Sequence, residues 1–174
     1  MSGFTADELQ AQIPRLRRYA RALTGSGAAA DDLTQDTLER AWLKRALWRS
    51  DARLGETSLR AWLFAVMHRV FLNDVRRRRP AEPLEEDVVE RADAATPDGV
   101  LALRDLQRAL AQLSFEHRAV VLLVGLEGLS YEDAARALEV PIGTVMSRLS
   151  RGRLRLRQLL EDEAPLAAPL RRVK

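Results

Sequence analysis

Cysteine is absent from this 174-residue chain, and histidine is limited to His68 and His117. The first absence excludes a disulfide framework, a thiolate metal site and a cysteine nucleophile, and the second leaves little material for a zinc site. Long hydrophobic runs are missing as well. The longest, Ala61 to Met67 and Ala119 to Leu126, stop far short of the ~20 residues that span a bilayer. Asp7 and Glu8 stand where a secretory signal needs a basic and then an apolar start, so a cytoplasmic location is expected. No run of β-branched residues alternates with polar ones, so no strand is expected either. His68 and His117 lie far apart among apolar neighbours, without a Ser/His/Asp set or a phosphate-cradling glycine loop. Both read as satisfied structural histidines, not as parts of an enzyme, and no cofactor or small-molecule substrate is implied.

What is present is a globular balance of 47% apolar and 30% charged residues with a net charge of only +3, too small by itself to mark a nucleic-acid binder. Its distribution is more informative. Basic residues outnumber acidic ones 15 to 9 over 1–79 and 12 to 9 over 104–174, whereas 80–103 holds 1 basic and 7 acidic residues. The stretch 80–97 carries Pro80, Pro83 and Pro97 with an acidic run and no sustained periodicity, the composition of a self-repelling flexible linker. The expected architecture is therefore all-α: two small basic helical domains, 1–79 and 98–162, on an acidic tether, with a loose tail over 163–174. Neither domain is large enough to be more than modestly stable alone.

In the first domain, apolar residues recurring at three and four predict helices over about 6–24, 31–48 and 58–78. Asp31 and Ser58 are the expected N-caps, and Pro14 should start or bend the first helix. Trp62, Phe64 and Phe71 read as core residues, although aromatics beside a basic groove also suit unpaired bases. Arg76 to Arg79 have no packing purpose and point to phosphate. In the second domain Leu103, Leu106, Leu110 and Leu113 form a stripe, Ser114 restarts the chain, and Ala119 to Leu126 looks buried.

The most specific stretch is Leu129 to Arg157. Ser130 and Asp133 approximate a capping box, and Tyr131, Ala134, Ala135 and Leu138 make one apolar face of a short helix. Pro141 ends that helix and suits the first turn of the next, while the alanines let two helices cross closely, as in a helix-turn-helix. At 100° per residue, Val145, Leu149, Gly152, Leu156 and Leu160 share an inner face, with Gly152 a close-packing position. Met146, Ser147, Ser150 and Arg151 point outward, where a major groove would meet them. Arg148, Arg151, Arg153, Arg155 and Arg157 suit phosphates or a guanine edge.

Three segments together resemble one family, the extracytoplasmic-function (ECF) sigma factors of bacterial RNA polymerase. Asp31 to Trp42 resembles the family's clamp-binding helix, Leu59 to Arg76 its minus-ten helix, and Gly128 to Arg155 its minus-35 helix-turn-helix. The resemblance covers nearly the whole chain outside the linker and tail. It implies that 1–79 and 98–162 are sigma regions 2 and 4, and that Asp32, Leu33, Gln35, Asp36 and Arg40 dock on the clamp helices of the large polymerase subunit, with Trp42 nearer the core. It also implies that Arg69, Asn73, Arg76 and Arg77, with the loop 49–57, face minus-ten DNA, where a base of the non-template strand is captured. Ser130, Tyr131, Thr144, Met146, Ser147, Arg148, Ser150 and Arg151 would face minus-35 DNA. Arg69 and Met146 depart from residues common in the family, and Met146 cannot donate a hydrogen bond, which moves base readout to Ser147, Ser150 and Arg148 or to thymine methyl groups. The implied partners are core polymerase, promoter DNA and an anti-sigma protein, often membrane-anchored in relatives. A free-standing regulator that dimerises through its first domain is the competing reading. A separate expectation comes from charge alone: Glu85, Glu86 and Asp87 of the linker could lie across the basic faces and weaken DNA binding.

Overall fold

A computed structural model describes residues 3–48, 55–77 and 97–163. The first helix, α1 (Ala6–Thr24), starts at a full capping box. Thr5 Oγ1 accepts from the Glu8 N–H at 3.2 Å, and Glu8 Oε2 accepts from the Thr5 N–H at 2.7 Å. Pro14 therefore lies within the helix rather than at its start, on the exposed side of α1. Gly25, in the left-handed region at φ 75°, ends α1, and Ser26 immediately caps α2 (Gly27–Leu43) by accepting from the Ala29 N–H. The helix thus begins four residues before the expected cap. Asp31 instead turns its carboxylate sideways to Arg17, at 2.7 Å. A short tight turn, Arg45–Leu47, follows, and α3 (Gly55–Arg77) begins before Ser58. The linker up to residue 96, the loop residues 49–54 and the tail beyond 163 lie outside the described residues, as do the expectations placed on them.

Apolar faces of α1, α2 and α3 close on one another around Leu16, Tyr19, Leu23, Leu63, Phe64 and Met67, all buried. Tyr19 meets Phe64 edge-on at 4.9 Å. Trp62 and Phe71 are half-buried at the margin of this core. Trp42, expected nearer the core, sits at the rim: its edge meets Phe4 at 6.4 Å and the Arg45 guanidinium lies 4.5 Å above its ring.

In the second half, α4 (Pro97–Ala111) buries Ala109 and Leu110 but exposes Leu103, so the leucine stripe is covered only toward its C-terminal end. Ser114 caps α5 (Phe115–Val121). The chain then widens through Leu122–Leu126, where the Glu127 N–H reaches back five residues to the Leu122 carbonyl at 3.0 Å. Next come α6 (Tyr131–Leu138) and α7 (Ile142–Glu163). Gly152 of α7 faces α5 so closely that a Cβ there would lie 2.8 Å from Val121 Cγ2.

The two halves pack on each other: α3 lies against α6, and α1 against α4, α5 and the widened turn, so buried residues of both form one apolar cluster. Sequence periodicity gives each unit separately and is silent about this seam. The described residues contain no strand, and no described helix is long and apolar enough to cross a membrane.

Candidate nucleic-acid interface

The corner between α6 and α7 is built by local hydrogen bonds. Ser130 Oγ accepts from the Asp133 N–H at 3.0 Å and donates to Asp133 Oδ2 at 3.0 Å, while Arg136 pairs with the same, buried carboxylate. Tyr131, the first residue of α6, is partly exposed. At the other end the Val140 N–H bonds to the Ala135 carbonyl at 3.1 Å across Glu139, which adopts φ 56°. Pro141 is the cap of α7 rather than its first residue; its carbonyl accepts from Thr144 and Val145. Val145, Leu149 and Gly152 then face inward, and Leu156 and Leu160 are half-buried. Met146, Ser147, Ser150 and Arg151 are exposed on the opposite side, Met146 at 53%, and Thr144 and Arg148 are half-buried beside them. Ser147 Oγ donates to the Thr144 carbonyl at 3.1 Å, which uses its one hydroxyl hydrogen and leaves the oxygen as an acceptor. Arg153, Arg155 and Arg157 continue the exposed charge along α7.

On α3, Asn73, Arg76 and Arg77 are exposed, in helical register with Arg69 four residues before Asn73. Arg69 is not directed at solvent alone: its guanidinium pairs with Glu139 at the α6–α7 corner, Nε at 2.9 Å from Oε1. Its neighbour His68 is half-buried, its ring stacked on Phe115 of α5 at 5.3 Å, and Phe71 stacks on the same Phe115 at 4.8 Å. Burial holds the His68 pKa below the usual 6.5. The charges of Arg148 and Arg69 push it the same way, against opposing contributions from Glu139 and Glu116. Among the described residues His68 Nδ1 has no hydrogen-bond partner, so the half-buried ring is held there by stacking and not by the satisfied hydrogen bonding that the sequence suggests. No group of His, Asp or Glu among the described residues is placed to hold a metal ion.

On α2, Asp32, Gln35 and Asp36 are exposed on one side and Arg40 is half-buried beside them. Leu33 is not part of that surface. At 7% exposure it joins Ala30, Thr34, Thr37 and Ala41 on the buried face, one helical position of 100° away from Asp32. Its place among the surface residues is a correction to the expectation from sequence.

Sequence reasoning missed the groups that hold the seam. Glu127 has a fully buried side chain, and Arg18 of α1 reaches it with Nε at 3.1 Å and Nη2 at 2.9 Å from the same oxygen. Arg118 of α5 donates to the Leu23 carbonyl at the end of α1 at 2.8 Å, and to the Ala111 and Leu113 carbonyls at the end of α4. Cations are favoured at such helix C-termini. The one local hint was a lone acid between Gly125 and Gly128 in an otherwise apolar stretch.

With that geometry in view, the chain matches the family model described as the Sigma2 domain of PhyR over residues 9–68, and that of Sigma-70, region 4, over residues 103–156. It is 35% identical over 156 residues to the ECF RNA polymerase sigma factor EcfG of Rhodopseudomonas palustris, covering 88% of this chain and 83% of the relative. The ECF RNA polymerase sigma factor SigL of Mycobacterium tuberculosis is 38% identical over 151 residues, 84% of this chain and 83% of its own. Among solved structures, the sigma factor RpoE of Bartonella quintana in complex with the anti-sigma factor NepR superposes with a TM-score of 0.75 at 34% identity, over 90% of this chain and 96% of that one.

Proposed function

This chain belongs to the ECF sigma factors, which give RNA polymerase its promoter recognition, and on that premise we propose how its surfaces divide the work. The unit 1–79 acts as region 2 and 98–162 as region 4, joined by the acidic linker 80–97. Asp32, Gln35, Asp36 and Arg40 dock α2 on core polymerase. The α6–α7 pair is a helix-turn-helix that reads the minus-35 element. Arg148 and Arg151 engage phosphates or a guanine edge, Ser130, Tyr131 and Thr144 hold the backbone, Ser147 and Ser150 accept or donate at base edges, and Met146 packs on thymine methyl groups. Asn73, Arg76 and Arg77, with Arg69 and the loop before α3, engage the minus-ten non-template strand. Binding of that displaced strand offsets the few kcal/mol lost for each extruded base. No bond is made or broken, no cofactor is needed, and the work is done in the cytoplasm.

The observation that carries this reading is the two-faced α7: its inner positions are filled by the core while Met146, Ser147, Ser150 and Arg151 stand exposed at a capped corner. The neighbour from Bartonella quintana is bound to an anti-sigma factor, and an anti-sigma protein that covers the docking faces is proposed here too. Affinity capture of core polymerase tests the assignment. The full chain should retain core, and Asp36→Arg should lose it while keeping duplex DNA binding. Duplex binding with no retention of core would favour a free-standing regulator.

A further inference from the structure

We infer that the chain latches itself shut without a partner, with the α6–α7 corner drawn over the Arg69 end of the strand-binding side of α3 by the Arg18–Glu127 and Arg69–Glu139 pairs. The inference rests on the assignment of α3 to the minus-ten strand. Four observations support it.

Glu127 is fully buried, and its ion-pair partner, Arg18, comes from the other unit with its own side chain 52% exposed. A carboxylate in that position requires the cation when the halves are together and regains water when they part, so the pair acts on the open-to-shut balance rather than on either unit's own fold. Glu139 occupies a left-handed position, φ 56°, where glycine would be the unstrained choice, and its carboxylate is spent on Arg69. Phe115 is inserted against both His68 and Phe71, stacked on each within 16° of parallel. Arg118 ties α5 to the end of α1 through the Leu23 carbonyl.

The consequence is asymmetric. Arg69, with His68 and Phe71 beside it, is engaged by the second unit, whereas Asn73, Arg76 and Arg77 further along α3, Met146, Ser147, Ser150 and Arg151 of α7, and Asp32, Gln35 and Asp36 of α2 stay exposed in the same shut form. Duplex reading and polymerase docking are therefore open to the shut chain, while an unpaired strand meets only the Asn73–Arg77 end of α3, and its full grip, Arg69 included, waits until the latch releases. Such an order keeps a basic helix from collecting single-stranded nucleic acid at random before polymerase is engaged.

The absence of cysteine makes the test direct. Spin labels are placed on the exposed positions Gln10 and Gln158 through Gln10→Cys and Gln158→Cys, and the inter-label distance is measured by double electron–electron resonance on the full chain. In parallel, fluorescence anisotropy follows binding of a short fluorescein-labelled single strand of randomised sequence and of the same probe as a duplex. Arg18→Glu sets two carboxylates together and should shift the distance distribution to longer values. It should tighten strand binding by about tenfold or more, with no rise in duplex affinity. The gain would come despite the loss of two positive charge units, which by themselves weaken DNA binding. Glu139→Gly should do the same to a smaller degree, and adding Glu127→Arg to Arg18→Glu should restore the short distance and the weak strand binding. Circular dichroism establishes that each variant keeps its helices.

An unchanged distance in both Arg18→Glu and Glu139→Gly overturns the latch. A longer distance with unaltered strand affinity overturns the masking. In that case Arg76→Ala in the opened background separates the two possible failures: if it too leaves strand binding unaltered, α3 is not the strand surface and the functional assignment itself has failed.

Discussion

Replacing Gly152 by alanine sets two effects of opposite sign against each other. Alanine is favoured over glycine inside a helix by about 1 kcal/mol. The added methyl, however, would lie 2.8 Å from Val121 Cγ2 and 3.4 Å from both the Cβ and the carbonyl oxygen of His117. Carbon atoms prefer about 3.5–4.0 Å, and a β-branched valine in a helix cannot readily rotate its methyl away. Helices α5 and α7 must then separate by some tenths of an ångström, and overpacking of this kind costs about 1–3 kcal/mol. The net expectation is a loss of about 1 kcal/mol, or a melting temperature lower by about 2–4 °C for a chain of this size. Thermal and urea unfolding followed by circular dichroism measure it. Gly143, in the first turn of the same helix with nothing within 4 Å of its added Cβ, is the control, and Gly143→Ala should raise stability. In a Val121→Ala background the clash is gone, and Gly152→Ala should turn from destabilising to neutral or better. If Gly152→Ala alone melts above the parent, the close approach of α5 and α7 is wrong.

Other consequences are as direct. Thr5→Ala removes the side-chain half of the capping box and should lower stability by about 1 kcal/mol in urea unfolding. His68 has a depressed pKa in the folded chain, so the unfolded chain binds the extra proton first as pH falls through about 6.5. Stability should therefore decline on acidification from about pH 7.5 to 5.5, and His68→Phe, which keeps a ring against Phe115, should flatten that slope in urea midpoints measured across the range. Arg151→Ala should weaken duplex binding and reduce the slope of log K against log salt by about 1, read by anisotropy titration at several salt concentrations.

What could be read from sequence was what local spacing determines. The α6–α7 corner depends on Ser130, Asp133, the small alanines, Pro141 and a 3.6-residue repeat, all within thirty residues, and the inward set Val145, Leu149 and Gly152 lies where the period puts it. The start of α2 was misplaced because Ser26 and Asp31 are both good caps. The intervening alanines are strong helix formers that carry no periodic signal. Leu33 was assigned to a docking surface by its place in a family pattern, although the 100° rotation from Asp32 already sets it on the buried side. The seam was not legible at all. Arg18 and Glu127 are 109 residues apart and Arg69 and Glu139 are 70 apart, and neither spacing leaves a trace in local pattern.

The central claim is that this chain directs polymerase to start sites, and sequencing the 5′ ends of transcripts made in vitro from fragmented bacterial DNA tests it most directly. Core polymerase with the full chain is expected to initiate at a new, discrete set of positions that share two upstream elements, and Asp36→Arg should abolish that set. The same start sites with and without the chain would contradict the account.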